Sequence, residues 1–412
     1  MADESRHLPQ RARLKARLVA LDTLRENVVV LSRGNRVIRP EHVQGSRRIE
    51  LSFGASVQLA LPMISDEAGW LADDEIGLPQ PLWRRLGAAE GDWIDVEPSR
   101  PPESLAYLRR KMAAESFTPE GLQAICRDLA DHRWSDMDVS AFLVSCASFM
   151  TAEETLDLTR AMIGVGERLT WPGRPIVDKH CIGGVPGNRT SLIVAPIAAA
   201  HGLTMPKTSS RAITSPAGTA DTMEVLARVD LSEDEMRDVV ERCGACIVWG
   251  GRVNLSPADD VLISVERPLG IDTVEQMVAS ILSKKVAAGS THLVLDLPVG
   301  PSAKLRSRAD ALRLRKLFEF VGSRLGLVLD VVLTDAPQPI GRGVGPALEA
   351  RDVLAVLEGR ADAPRDLREK AIMLAGRVLE MDPDLRGGQG EARARDLLES
   401  GAAARMLGYA GG

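Results

Sequence analysis

The chain has 412 residues, a formal net charge of −6, and ordinary shares of hydrophobic (45%) and charged (26%) residues. This length predicts two or three domains, and a negative charge without a long basic tract argues against nucleic acid as a partner. The most apolar stretch, residues 191–200, is far shorter than a membrane span, and residues 1–17 lack the apolar core of a secretory signal. We therefore expect a cytoplasmic protein with no membrane partner.

The first part of the chain, residues 14–97, is predicted to be a small β-rich domain. Short apolar runs such as residues 28–31 are separated by turn residues, which is typical of strands. Residues 75–92 are expected to form a helix between two turns. Residues 93–96 are then expected to close the domain as a strand.

A helical domain is predicted at residues 103–168, and residues 268–290 are expected to join it. Thr118 precedes a proline, which is typical of a capped helix start. Residues 135–150 and 151–164 show the apolar spacing of two further amphipathic helices.

The larger part of the chain is predicted to be an α/β domain that binds phosphate and substrate, at residues 172–262 and 291–357. Strands, loops and helices alternate there, beginning with a strand at Ile176 and Val177. Residues 358–412 are expected to form a helical tail. The predicted fold class is therefore α/β, with a β-rich N-terminal domain, a helical domain and a larger α/β domain.

The first segment with a chemical signature is residues 178–190. Its glycines allow backbone N–H groups to approach an anion, and the helix that follows favours negative charge at its start. Lys179 adds a positive charge, and Thr190 adds a hydroxyl donor. An ordinary tight turn between a strand and a helix is the alternative interpretation.

The second segment, residues 207–222, contains seven hydroxyl side chains, one arginine and one lysine. Such a loop can donate many hydrogen bonds to phosphate or ribose oxygens, although ordinary loops are also rich in serine and threonine. Both segments follow predicted strands. We therefore expect them to lie together at the carboxyl edge of one sheet, where α/β proteins bind ligands.

A third segment offers groups that could act on a leaving base. Asp272 could donate a proton, but with Glu275 it also resembles a helix cap. Ser280 and Lys284 are four residues apart and share a helix face. Lys284 and Lys285 could equally be a solvated helix end that complements the helix dipole.

Five cysteines in a chain of this length do not suggest a disulfide framework, and they fit a reducing compartment. The pair Cys243 and Cys246 has metal-ligand spacing, but no second pair accompanies it. Buried structural thiols are therefore favoured over a zinc or redox site.

Together these segments resemble the thymidine and pyrimidine-nucleoside phosphorylase family over residues 104–357. The resemblance is closest to a second branch that includes the AMP phosphorylases. The motifs that carry it are Asp178-Lys179-His180, Gly183-Gly184-Val185, Gly187-Asn188-Arg189, residues 208–222, residues 254–260 and residues 279–285.

The resemblance implies a set of functional residues. Asp272 is implied as the proton donor. Phosphate binding is implied for Lys179, Thr190, Ser209 and Thr219. Substrate binding is implied for Gly184, Ser210, Arg211, Ala212, Ile213, Thr214, Ser215, Thr219, Arg267, Ser280, Lys284 and Lys304.

The implied reaction is phosphorolysis of a nucleoside or nucleoside 5′-monophosphate to free base and a pentose 1-phosphate. Inorganic phosphate would be the co-substrate, with no metal or organic cofactor, and a homo-oligomer is implied. The sequence departs from the thymidine branch at Cys181, where a serine is usual, and at residues 209–215, which favours a nucleoside monophosphate.

The resemblance also implies a C-terminal α+β domain of roughly a hundred residues, which we expect this chain to lack. A nucleotide-binding protein without turnover is therefore the alternative function.

Overall fold

The structure is a computed structural model. It describes residues 12–23, 27–38, 48–67, 69–99, 101–173, 175–183, 187–212, 216–271, 273–385 and 387–409. The chain divides into two units, one formed by Met1–Leu105 with Asp131–Ser135 and the other by Ala106–Ala130 with Asp136–Gly412.

The first unit contains a closed barrel of six strands in the order β1-β5-β2-β4-β3-β6. The strands are β1 (Ala12–Val19), β2 (Val28–Ser32), β3 (Ile49–Phe53), β4 (Ser56–Ser65), β5 (Glu75–Pro79) and β6 (Trp93–Pro98). Strand β1 pairs in parallel with β5, and β2 pairs in parallel with β4. Leu14, Leu31, Leu51, Ile76 and Ile94 fill the interior and are fully buried, as alternation along barrel strands requires.

The prediction of a helix at residues 75–92 is wrong in its first part, because residues 75–79 form β5. Ile76 and Leu78 point into the barrel, and Gly77 packs so closely on Val19 that a Cβ there would lie 2.9 Å from Cγ1 of that valine. The helix, α1 (Gln80–Leu86), begins only after Pro79.

Four helices follow the barrel strands along the chain, and all but the first residue of α2 belong to the second unit: α2 (Leu105–Met112), α3 (Pro119–Ala130), α4 (Asp136–Phe149) and α5 (Ala152–Val165). The predicted start of α3 is confirmed, since Oγ1 of Thr118 accepts a hydrogen bond of 3.1 Å from the amide of Gly121. Helix α5 begins with a capping box between Thr151 and Glu154. The buried carboxylate of Glu154 also accepts a 2.6 Å bond from Lys111.

The remainder of the second unit alternates parallel strands with helices. The strands are β7 (Val177–Cys181), β8 (Met205–Ser209), β9 (Ala245–Trp249), β10 (His292–Val299) and β11 (Val328–Asp335). The helices are α6 (Ser191–His201), α7 (Thr219–Glu224), α8 (Glu233–Cys243), α9 (Pro257–Leu269), α10 (Val274–Ala287), α11 (Arg308–Arg324) and α12 (Pro346–Leu357). The tail forms α13 (Arg365–Leu379), α14 (Gly390–Glu399) and α15 (Ala402–Tyr409).

The expectation of one sheet carrying both anion-binding segments is corrected by the strand pairing. Strands β11, β10 and β7 form one parallel sheet, and β8 with β9 forms another. A single bridge between Ile176 and Thr204 links them just before β7 and β8 begin. The two strands then separate, and charged side chains fill the space between them.

Helix α6 is buried on nearly all sides, because α13, α14 and α15 cover it. A helix that is apolar all round is expected in the core of a large domain. Helix α10 packs against α5 and so joins the helical bundle. Across the described residues, we find no helix with both the length and the apolar character needed to cross a membrane.

Candidate active site

Both predicted anion-binding segments begin within strands and not in loops. Residues 178–181 complete β7, and residues 207–209 complete β8. Strand β7 stays paired with β10 as far as Cys181, opposite Asp296. Charged side chains are seldom buried in strands unless they are paired, and the neighbouring elements supply those pairs.

A buried carboxylate holds two lysines in the space between β7 and β8. The Oδ2 atom of Asp178 lies 2.7 Å from Nζ of Lys285, and its Oδ1 atom lies 3.4 Å from Nζ of Lys207. Lys207 also donates to the carbonyl oxygen of Lys179 at 2.8 Å, and Lys285 donates to that of Thr208 at 3.1 Å. Strands β7 and β8 are not paired with each other here, and the two lysines instead bond to the backbone of both strands.

The charges in this cluster depend on burial and on one another. Burial acts to raise the pKa of Asp178, but Lys207 and Lys285 outweigh it, and the net shift is downward. Burial lowers the pKa of Lys207 to about 7, against the attraction of Asp178. The pKa of His180 is held well below its usual value, by burial first and by the lysines second. Asp178 is therefore ionised at neutral pH, and His180 is neutral.

Lys179 points its ammonium group at the start of helix α6. Its Nζ donates to Oγ1 of Thr190 at 2.7 Å and to Oγ of Ser191 at 3.5 Å. The hydroxyl of Thr190 in turn donates to the carbonyl oxygen of Gly187. The side chain of Lys179 is fully buried, and burial lowers its pKa. A lysine, two hydroxyls and a helix N-terminus together form an arrangement suited to an oxyanion.

The loop before α6 folds back tightly onto β7. A Cβ at Gly187 would lie 2.6 Å from Sγ of Cys181 and 3.2 Å from Oδ2 of Asp296. Burial is the main cause that raises the pKa of the Cys181 thiol to about 11, so the thiol remains neutral. Only glycine fits at position 187 without displacing the loop.

A second pair of charges lies beside this loop, at the carboxyl half of β10. Oδ2 of Asp296 lies 3.1 Å from Nζ of Lys370 on α13, and Oδ1 accepts a 2.6 Å bond from Thr334. Lys370 also donates to Thr334 at 3.0 Å. The C-terminal helices therefore contribute a cation close to the predicted phosphate-binding residues.

The second segment is braced by acidic residues of α7. The Arg211 guanidinium bonds to Glu224 at 2.5 and 2.8 Å and to Asp221 at 3.2 Å. Asp221 also accepts bonds from the amides of Ala212 and Gly218, on either side of residues 213–215. In this arrangement Arg211 faces carboxylates, so that its predicted role in substrate binding requires it to exchange partners.

The predicted base-reading residues on α10 share one carboxylate. Asp259 on α9 accepts a 2.8 Å bond from Ser280, and its Oδ2 atom lies 2.5 Å from Nζ of Lys284. Burial acts to lower the pKa of Lys284, but Asp259 and neighbouring acids reverse the shift and raise it. Arg267 lies exposed in the last turn of α9.

Several predicted site residues lie outside the described residues. They are Gly184, Ile213, Thr214, Ser215 and Asp272. The described part of α10 has Thr273 as its N-cap, whose Oγ1 accepts from the amide of Gln276 at 3.2 Å.

The remaining predicted residues lie at the ends of strands or in the turns that follow them. Ser209 ends β8, Ser210 follows it exposed, and Thr219 begins α7. Lys304 lies in the turn after β10, where a Cβ at Gly183 would be 3.7 Å from its Cε.

The interpretation of Lys285 as part of a solvated helix end is wrong, because Lys285 is buried on Asp178. The sequence assigned no individual role to five residues that shape the site (Asp178, Lys207, Ser191, Asp259 and Asp296), although the first two and Asp259 lie within the segments named above. For Asp178 a signal was available in the sequence. Asp178 and Lys179 directly follow the apolar Ile176 and Val177, and charges in a buried strand need buried partners.

The described charges around β7 leave an excess of cations. Four lysines (Lys179, Lys207, Lys285 and Lys370) and two aspartates (Asp178 and Asp296) lie there, and Lys207, with a pKa of about 7, is only partly protonated at neutral pH. Buried charge without a counterion is costly, so a bound anion would stabilise this arrangement.

Cys243 and Cys246 are free thiols, and no group of three or more metal-ligating side chains occurs among the residues that the structure describes.

Two family models match the chain. "Glycosyl transferase family, helical bundle domain" covers residues 105–166, and "Glycosyl transferase family, a/b domain" covers residues 173–404. Helices α2 to α5 correspond to the first match, and β7 through α14 lie within the second.

Relatives of known sequence extend over nearly the whole chain. A protein of Bradyrhizobium sp. (strain ORS 278), named "Putative thymidine phosphorylase", is 60% identical over 397 residues, which is 96% of this chain and 78% of that protein. A protein of the same name from Methylococcus capsulatus is 53% identical and covers 95% of this chain and 76% of its own length.

A solved structure is similar in fold over much of the chain. The crystal structure of anthranilate phosphoribosyltransferase from Thermus thermophilus matches with a TM-score of 0.62 at 21% identity, over 74% of this chain and 98% of that chain. At this identity the likeness concerns the fold alone.

Proposed function

We propose that this chain, which belongs to the glycosyl transferase family with a helical bundle and an a/b domain, catalyses phosphorolysis of a nucleoside or nucleoside 5′-monophosphate. The products are the free base and a pentose 1-phosphate. Relatives at 53% and 60% identity that carry the name of a phosphorylase support this reaction class.

The observation that carries the proposal is the buried set of Lys179, Thr190 and Ser191. The ammonium group of Lys179 lies within 3.5 Å of both hydroxyls at the start of α6, in surroundings with more lysines than aspartates. Phosphate supplies additional negative charge, and its oxygens can accept bonds from Lys179 and Ser191, and from Thr190 once its hydroxyl gives up the Gly187 carbonyl oxygen.

The reaction requires phosphate to attack the anomeric carbon while the base departs. A phosphate oxygen forms a bond to C1′, the C1′–N bond breaks, and its electron pair goes to the base. Lys179 and the two hydroxyls orient the nucleophile. Lys284, whose raised pKa keeps it protonated, stabilises the negative charge that develops on the leaving base.

The other end of the substrate is assigned to α10 and its neighbours. Ser280 and Lys284 are fixed by Asp259 and present hydrogen-bond donors suited to a base. For a nucleoside monophosphate, Arg211 would exchange Glu224 for the 5′-phosphate, with which guanidinium also forms paired bonds.

The test is release of base from AMP, CMP, UMP, thymidine and uridine, with and without inorganic phosphate. We expect at least one substrate to yield base only when phosphate is present. Lys179→Ala should raise the KM for phosphate more than that for the nucleoside, whereas Lys316→Ala, at an exposed position on α11, should change neither. A folded protein that releases no base from any of the five would contradict the proposal.

A further inference from the structure

Arg189 is buried directly beside the residues assigned to phosphate. Only 1% of its side chain is exposed, and it precedes Thr190 and Ser191 in the chain. Its partners come from helix α12: Nη1 donates to Oδ2 of Asp352 at 2.8 Å, and Nη2 lies 3.3 Å from Oε1 of Glu349. The start of α6 is thereby tied to an element 163 residues away along the chain.

Each carboxylate also bonds to a further segment. The hydroxyl of Thr222 on α7 lies 3.4 Å from Glu349 and 3.2 Å from the carbonyl oxygen of Gly218, two acceptors that share its proton, and Glu349 also accepts from the amide of Gly345 at 3.3 Å. Asp352 accepts from the amides of Arg342 and Gly343, both at 2.8 Å. The three charged residues therefore connect α6, α7 and the loop that leads into α12.

The space around this junction allows little displacement. A Cβ at Gly341 would lie 2.7 Å from Oδ2 of Asp352 and 2.8 Å from Nη1 of Arg189, and the residue has a positive φ of 72°. Buried charge clusters of this kind often contribute little net stability when compared with apolar residues of similar volume. A contribution to stability alone therefore does not account for three charged side chains at this junction.

We propose that Arg189, Glu349 and Asp352 form a positioning network that fixes the hydroxyls of Thr190 and Ser191, and the start of α7, in the geometry that binds phosphate. The inference rests on the proposed function. None of the three touches the reacting atoms. They act through the backbone of residues 187–191 and through Thr222.

The experiment compares Glu349→Gln with a matched control, Glu154→Gln. Both replace a buried, hydrogen-bonded carboxylate with an amide of the same size, but Glu154 pairs with Lys111 in the helical bundle. We expect Glu349→Gln to raise the KM for phosphate about tenfold with little change in the KM for the nucleoside. In the control, neither KM should change relative to the other. A selective effect on phosphate distinguishes positioning from a general loss of stability.

Hydrogen–deuterium exchange gives a second readout that does not require turnover. Without phosphate, Glu349→Gln should increase exchange in the peptides that cover residues 187–191 and 219–224, and Glu154→Gln should not. If the wild-type protein releases no base, the proposed function fails, while the exchange comparison still decides whether the network holds these segments. Exchange identical to wild type, or a KM for phosphate changed no more than in the control, would overturn the inference.

A triple variant covers the case in which Glu349→Gln does not fold. Arg189→Met with Glu349→Gln and Asp352→Asn removes all the charges while it preserves the approximate volume of each side chain, which buried ion clusters usually tolerate. This protein should fold and still show the raised KM for phosphate. Wild-type KM values for phosphate in the triple variant would show that the network has no positioning role.

Discussion

Lys207 has a charge that changes near neutral pH, because burial lowers its pKa to about 7. Below that pH the ammonium is protonated and adds a positive charge beside Asp178. Above it the side chain is neutral, although its bond to the carbonyl oxygen of Lys179 can persist. The attraction of the site for an anion should therefore weaken as the pH rises through about 7.

A pH series on the wild-type protein and Lys207→Gln tests this dependence. We expect the wild-type KM for phosphate to rise between slightly acidic and alkaline pH, and the variant to show a flatter profile with a higher KM at low pH. Phosphate itself ionises in this range, but equally for both proteins, so the difference between the profiles reports on Lys207. Parallel profiles would exclude a role for its charge.

Asp259 is the charged residue at the end of the proposed site that we assign to the nucleobase. Its carboxylate orients Ser280 and raises the pKa of Lys284. Asp259→Asn should raise the KM for the nucleoside about tenfold, the scale of a lost charge-assisted hydrogen bond, and leave the KM for phosphate nearly unchanged. Asp234→Asn, at an exposed position on α8, is the control. An increase confined to the KM for phosphate would contradict the assignment of the two ends.

At the scale of elements, the loop between β7 and α6 depends on close packing at Gly187. Gly187→Ala would place its Cβ 2.6 Å from Sγ of Cys181, and the resulting shift of the loop should raise the KM for phosphate about tenfold. Cys181→Ala removes the sulfur. The double variant should therefore recover most of the loss, which is the non-additivity expected of residues in contact. A double variant as impaired as Gly187→Ala would show that this contact does not set the loop position.

The same strand shows where the sequence was a poor guide. Periodicity ends the strand after Val177, because Asp178 and Lys179 are charged, whereas the backbone continues as β7 to Cys181. The strand continues because Lys207 and Lys285 pair with Asp178. These lysines come from distant parts of the chain, so the local sequence pattern does not indicate the pairing. Elements defined by local rules were predicted well: Thr118 caps α3, and α6 spans the apolar run at residues 191–201.

At the scale of the molecule, the order of barrel, helical bundle and α/β part follows the sequence patterns, but the pairing of strands does not. The apolar run in β2 indicates a strand, but the sequence does not indicate that β1 pairs in parallel with β5 to close a barrel. The same limit applies to the site. Lys179, Ser280 and Lys284 could be named from motifs and resemblance, whereas the roles proposed for Arg189, Asp259 and Asp296 rest on contacts between distant segments that only the fold reveals.

In the proposed reaction, phosphate, and not water, takes the pentose from the base. The most direct measurement is a phosphorus NMR time course with a competent substrate and inorganic phosphate, combined with measurement of the free base. We expect inorganic phosphate to disappear and a pentose 1-phosphate ester to appear in a one-to-one ratio with the base. Release of base with no new ester, or at the same rate without phosphate, would contradict the proposed reaction.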